Sequence, residues 1–319
     1  MKKLIMAGSI CLLFFLAACS KKASDTTPTA NGTTTSSTTG GTTTSGNNPA
    51  LRAAVLAAYN NTYLPTKVSG FTWNGTTTTC QPGTLSTAQL NNVLQRLNFY
   101  RQLDSLPAIS FSNLANTTAQ SVAALMKANS SLNHTPPSTW NCYTASAASG
   151  AAESNLSMNS LGEPYMSIDD WMSDYGNNRV GHRRWILNSQ ADVYGFGSTG
   201  DYSALYWGSA SGANGKLPNS IAWPCKGFVP APLVYDRWSF GIPGADFTNT
   251  IVQMSYNGNS LSLSTDPLQL GYADNTIVWL PSGIAKTSTA DVTYHVKLTN
   301  IVLNGKKFNY EYDVTIFQP

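Results

Sequence analysis

The stretch that decides the fold runs Ser167-Ile168-Asp169-Asp170-Trp171-Met172-Ser173-Asp174-Tyr175 and, after a polar loop, Gly181-His182-Arg183-Arg184-Trp185-Ile186-Leu187-Asn188. Its first half reads as a short helix: Ser167 caps it, Asp170 follows three residues on, and Ile168, Trp171, Met172 and Tyr175 recur on one face. The apolar runs Ala191 to Phe196 and Ser203 to Trp207 come next and suit strands. A helix feeding paired strands points to an α/β layer arrangement.

Upstream, Ser86-Thr87-Ala88-Gln89 has the form of a capping box, and Leu90, Val93, Leu94 and Leu97 follow at helical spacing. The pattern predicts a helix to about Leu103, ended before Pro107. Ser112 or Asn113 caps a second helix that runs to about Asn129, with Leu114, Val122, Leu125 and Met126 as its buried stripe. Downstream of Pro224 the helical period vanishes. Asn257-Gly258 and Asn304-Gly305 each separate alternating runs, which is the strongest short-range hairpin signal. Phe308, Tyr310, Tyr312, Val314 and Ile316 share one face of the last strand. This reading gives an α/β domain over residues 49–226 and an all-β, immunoglobulin-like sandwich of about seven strands over residues 227–319. About 270 residues beyond the N-terminal segment suffice for two modest cores.

The N-terminus reads as a targeting segment. Lys2 and Lys3 precede an apolar run from Leu4 to Leu16, too short to span a bilayer, and then Leu16-Ala17-Ala18-Cys19. That ending resembles the bacterial lipobox, which implies a signal peptide over residues 1–18, a diacylated Cys19 and a membrane partner held through lipid. Residues 19–48 are almost all Ser, Thr, Gly, Asn and Ala and cannot repay their ordering entropy, so they read as a tether. Lys21 and Lys22 sit beside the lipid as solvated flank. The expected location is the bacterial outer membrane or cell surface. Loss of Lys2 and Lys3 lowers the net charge from +3 to +1, which leaves no basic field to attract nucleic acid.

Of the five cysteines, Cys11 leaves with the signal and Cys19 takes the lipid. In an oxidising compartment Cys80, Cys142 and Cys225 supply one disulfide and one thiol. Cys80 with Cys142 is the preferred pair, because both lie in loops flanking the first helical region, although spacing alone leaves the other pairings open. The chain has three histidines. His295, between Tyr294 and Val296 on a strand, reads as an edge residue, and Arg183 and Arg184 as partners for Asp169, Asp170 or Asp192. Gly-x-Ser-x-Gly, His-Glu-x-x-His and phosphate-loop motifs are absent from the sequence.

Trp171-Met172-Ser173-Asp174 followed by Gly181-His182, Trp185, Asn188-Ser189 and Gly195-Phe196-Gly197 resembles the signature of the CAP superfamily of cysteine-rich secretory, antigen 5 and pathogenesis-related proteins. Leu97-Asn98-Phe99-Tyr100-Arg101, the Leu106-Pro107 turn, an Ala-rich second helix and His134 just beyond it agree in order. The resemblance covers about Leu85 to Trp207 and is closest to a bacterial branch with a His-Arg-Arg-Trp segment. Arg237-Trp238-Ser239-Phe240, Gly244-Ala245-Asp246-Phe247 and Val278-Trp279 look like the sandwich appended in that branch. It implies a CAP-type α-β-α sandwich, with His134, His182 and two acids converging in a cleft that holds a divalent metal, zinc or another, in some members. Asp174 stands where the family often has Glu. Glu153-Ser154-Asn155-Leu156 resembles the family's Gly-Glu-Asn-Leu but places Ser154 at the acidic position, with Glu153 one residue early. The resulting expectation is a non-catalytic surface module binding a lipid, an envelope glycan or a metal in that cleft. The alternative is a metal-dependent hydrolase or peptidase with His134 and His182 as ligands and Asp174 or Glu153 as general base. An adhesin acting through the sandwich is the plainest reading, and no motif speaks for it.

Overall fold

Two glycines with a single residue between them determine how the first layer packs. The computed structural model describes residues 48–319 except 160, 213, 214 and 216, so the expected signal peptide, Cys19 and the expected tether up to residue 47 lie outside the described residues. Strand β3 (Val193–Ser198) carries Gly195 and Gly197 on the face covered by helix α3 (Asn113–Asn129). A Cβ on Gly195 would collide with the backbone of Ala115, and one on Gly197 with the backbone of Ala119 and Gln120. Helix and strand therefore touch backbone to backbone. Gly197→Ala is expected to lower stability by about 1–3 kcal/mol, read from the urea midpoint, because the colliding atoms cannot rotate away. A wild-type midpoint would show that the helix is seated elsewhere.

The four-stranded sheet has the order β1 (Ser110–Phe111), β3, β4 (Tyr202–Tyr206), β2 (Ser154–Met158), with β1 parallel to β3 and the rest antiparallel. Helices α3 and α4 (Ala145–Ala152) cover one face. Helices α2 (Thr87–Leu103) and α5 (Met166–Ser173) lie on the other, where Phe196 meets Trp171 edge to face. This is the α-β-α sandwich expected. The Ser86 and Gln89 capping box forms in full, and Ser112 Oγ accepts from Ala115 N at 3.2 Å. Two side chains depart from the expected stripes. Leu114, in the outward first turn of α3, is 80% exposed. Tyr175 is 87% exposed because Asp174 turns left-handed (φ 49°) and ends α5 one residue before it.

Nine strands make two sheets in the β-rich remainder. One has the order β10 (Leu263–Thr265), β11 (Thr276–Pro281), β7 (Trp238–Gly241), β5 (Ile221–Trp223). The other runs β6 (Gly227–Pro230), β13 (Lys306–Phe317), β12 (Val292–Leu303), β8 (Ile251–Tyr256), β9 (Asn259–Ser260). Rings interleave between them: Phe240 stacks on Tyr312, and Trp238 meets Tyr294 edge to face. Both Asn-Gly pairs have positive φ at each residue, as a type I′ hairpin turn requires. Strand β5 pairs with β7, so the sheets draw on residues before position 227 as well as after it.

One hydrophobic core runs through both regions, and a second, smaller one lies between α3, α4 and strands β2 and β4. Tyr100 of α2 packs on Trp223 of β5 and shares a 2.8 Å hydroxyl contact with Tyr235. Helix α1 (Pro49–Ala58) clamps the far sheet: Arg52 pairs with Asp291 and lies over the Phe317 ring. Cys80 and Cys142 are disulfide-bonded with Cα atoms 5.2 Å apart, and Cys225 is a buried thiol. His295 sits on β12 beside Asp313 and Glu311, a partly exposed strand residue.

Candidate functional site

The site is organised by a carboxylate that has no lone pair to spare. Asp174 and Val180 are both left-handed (φ 49° and 42°), and the loop between them folds the chain back so that α6 (Gly181–Ile186) starts beside the end of α5. Asp174 Oδ2 accepts from the backbone N–H of His182 at 2.9 Å, and Oδ1 accepts from His182 Nδ1 at 2.8 Å. Asn177 Nδ2 donates to both oxygens, at 3.2 and 3.3 Å. The carboxylate side chain is only 3% exposed, whereas the imidazole is 30% exposed. Asp174, one methylene shorter than the expected Glu, is set back from the surface and holds the ring. Its role here is to orient His182.

That geometry assigns the tautomer. A carboxylate only accepts, so His182 Nδ1 carries a proton, and in the neutral ring Nε2 keeps its lone pair. His134 repeats the logic with a different partner: its Nδ1 lies 2.9 Å from the carbonyl oxygen of Ala151, which also can only accept. Its turn is fixed by Asn133, whose Oδ1 accepts from the Thr135 backbone N–H at 2.8 Å. The Ala151–Asn155 segment serves both histidines, since Asn155 Nδ2 donates to the carbonyl of His182 at 3.0 Å. One short segment therefore anchors the imidazole of His134 and the backbone of His182, whose own ring is held by Asp174.

The acids do not complete this arrangement. Glu153 lies at the end of α4, where its carbonyl accepts from Trp207 N and its carboxylate fills the space that a Cβ on Gly208 would need, against the Tyr206 hydroxyl. Burial, and then the Glu153 charge, push the Tyr206 phenol up. Ser154, at the position the family comparison marks as acidic, is buried and donates to the carbonyl of Gly150 at 2.7 Å. Among the described residues no group of three or more His, Cys, Asp and Glu side chains is arranged to hold a metal ion. The four expected cleft residues thus resolve into a His182–Asp174 pair, His134 on a carbonyl, and Glu153 on Tyr206. These residues do not supply a closed zinc shell, which takes four donors.

Sequence reasoning missed two contributors. Asn177 locks Asp174, and its only signal was a polar residue in the loop before Gly181. Trp207 stacks on Trp185 of α6 with ring centroids 3.7 Å apart, walling the segment beside Glu153. Arg183 and Arg184 were expected on carboxylates but use carbonyls instead: Arg183 those of Met172, Ser173 and Arg237, Arg184 those of Gln269 and Asp274. Asp169 is taken by Arg96 and Asp192 by Ser211, which leaves neither acid to them.

Residues 94–209 match the family model of the CAP, cysteine-rich secretory protein family. No curated protein and no solved structure matches the chain.

Proposed function

We propose, from the premise of a CAP domain at residues 94–209, that the chain is a non-catalytic binding module displayed outside the cell, with His134 and His182 as its ligand-contacting groups. The observation that carries this reading is the paired Nδ1 anchoring, on Ala151 O and on Asp174, which leaves two Nε2 lone pairs for a ligand. A divalent cation takes such lone pairs directly. A hydroxyl of an envelope glycan or lipid headgroup donates to them. Cys19 carries the anchor and residues 20–48 give reach, a role supported by the basic start, the short apolar run and the small residues before the cysteine. The outer membrane or cell surface is its place.

Calorimetric titration of the full chain with Zn²⁺ and with envelope glycan fragments tests the reading. His134→Ala and His182→Ala are expected to weaken binding at least tenfold. Asp174→Asn, which puts a donor in place of one of the two oxygens that hold the His182 ring, its backbone N–H and Asn177, should cost about 10–100-fold. Wild-type affinity in all three variants would end the proposal.

A second reading has one observation in its favour. An imidazole with Nδ1 bound to a buried carboxylate and Nε2 free is poised as a general base. On that reading His182 is the base and Asp174 orients it, reversing the roles expected from the sequence. Hydrolysis of peptide or glycan substrates at equal rates by wild type and His182→Ala would remove it.

A further inference from the structure

We infer that the chain carries a second binding site, a neutral-sugar pocket of about 660 Å³ between α3, the start of α2 and the loop over residues 74–85. None of His134, Glu153, Asp174 and His182 lines it. Its volume lies in the range of small-ligand sites, and its wall is already fixed. Thr76 and Gln81 exchange two backbone hydrogen bonds at 2.9 Å, Cys80 is tied to Cys142, and the Pro82 carbonyl accepts from both Trp73 Nε1 and Gln120 Nε2. A pocket held this firmly loses little ordering entropy when it is filled.

The lining decides the ligand class. Among the described residues no lining side chain is ionisable, so a phosphate, a fatty-acid carboxylate or a metal ion finds no counter-charge. Carboxamides supply the polar contacts. Among the described residues Asn116 spends Oδ1 on the Phe196 N–H at 2.9 Å and has no partner for Nδ2, and the Asn113 amide makes no hydrogen bond. Thr117 and Ser121 donate their hydroxyl protons back to helix carbonyls, which turns their remaining lone pairs outward as acceptors. Free donors thus stand beside free acceptors, the pairing that a hydroxyl needs on each side. Leu85 and Leu90 add a partly exposed apolar floor for the C–H face of a sugar ring. An acyl chain would cover that floor but leave the amides desolvated and unpaired.

The test uses the full chain in detergent micelles, titrated calorimetrically with maltotriose, cellotriose and triacetylchitotriose, and with dodecanoate for comparison. At least one trisaccharide is expected to bind at about 1 mM or tighter. Asn116→Asp keeps the acceptor for Phe196 N–H but replaces the free donor with a charged oxygen, and should weaken binding at least tenfold. Thr117→Trp, on the exposed face of α3, should abolish it, whereas Leu270→Trp, equally bulky but outside the pocket, should leave it unchanged. If Asn116→Asp fails to fold, the tryptophan pair carries the decision. The proposal is overturned if no trisaccharide binds by about 10 mM, if binding survives Thr117→Trp, or if dodecanoate binds in preference.

Discussion

Replacing Arg183 with alanine is expected to remove about 3–5 kcal/mol of folding free energy, measured by urea denaturation. The guanidinium is buried and touches no carboxylate among the described residues. Nε donates to Met172 O at 2.6 Å, Nη2 to Ser173 O at 3.1 Å, and Nη1 to both Arg237 O and Ser239 Oγ, at 2.8 and 3.2 Å. Burial pulls its pKa down to about 10, which still leaves it charged at neutral pH. Truncation strands several buried acceptors, each worth about 1–3 kcal/mol when left unpaired, and opens a void where α5 meets β7. Arg183→Lys should recover little, because a point cation cannot reach acceptors spread around a planar fork. A loss below about 1 kcal/mol for Arg183→Ala would refute the account. The same variant should loosen the site, since Ser173 precedes Asp174 and Arg183 follows His182.

These partners leave no local mark in the sequence. Arg183 sits 54 residues from Arg237 and 56 from Ser239, and its acceptors are mainly backbone carbonyls, which every residue type offers equally. Side-chain identity carries no trace of such a contact, so carboxylates were the natural expectation. Local signals fared differently. The Ser86 and Gln89 box, Ser112 before α3, and the two Asn-Gly turns are completed within a few residues, and each formed as read. Tyr175 marks the boundary between the two cases. Helical period places it on the buried face of α5, but the helix ends at Asp174, whose left-handed backbone goes with a carboxylate engaged eight residues ahead on His182. Likewise the acids of the cleft were legible as residue types and not as roles. Whether Asp174 ligates or orients depends on Asn177 and the N–H of His182, and neither donor is implied by the spacing of two histidines.

Asp104→Asn is expected to do the opposite of most core substitutions and stabilise the protein above neutral pH. Asp104 follows the last residue of α2 and is buried at the joint between the two regions, where Oδ2 accepts from Ala222 N of β5 at 2.7 Å. Among the described residues Oδ1 has no partner, nor has the nearby Tyr312 hydroxyl. Burial pushes the carboxyl up to about 7 from 3.8, against the opposing pull of Lys226 and the Ala222 N–H. A folded-state pKa raised above the unfolded value means that folding takes up a proton. The stability contributed by this group is therefore complete below pH 3.8 and is lost as pH rises through about 7. A shift of this size corresponds to about 4 kcal/mol between the two limits. Asparagine keeps an oxygen for the Ala222 N–H and has nothing to ionise. At pH 8 the variant should exceed wild type by a few kcal/mol, at pH 6 by about two thirds of that, and at pH 4 the order should vanish or invert. Because every other titrating group is common to both proteins, the difference between their urea-derived stability profiles isolates this one carboxyl. Parallel profiles from pH 4 to 9 would show that Asp104 is ionised in the fold at no cost, and that the joint is wetter than its packing indicates.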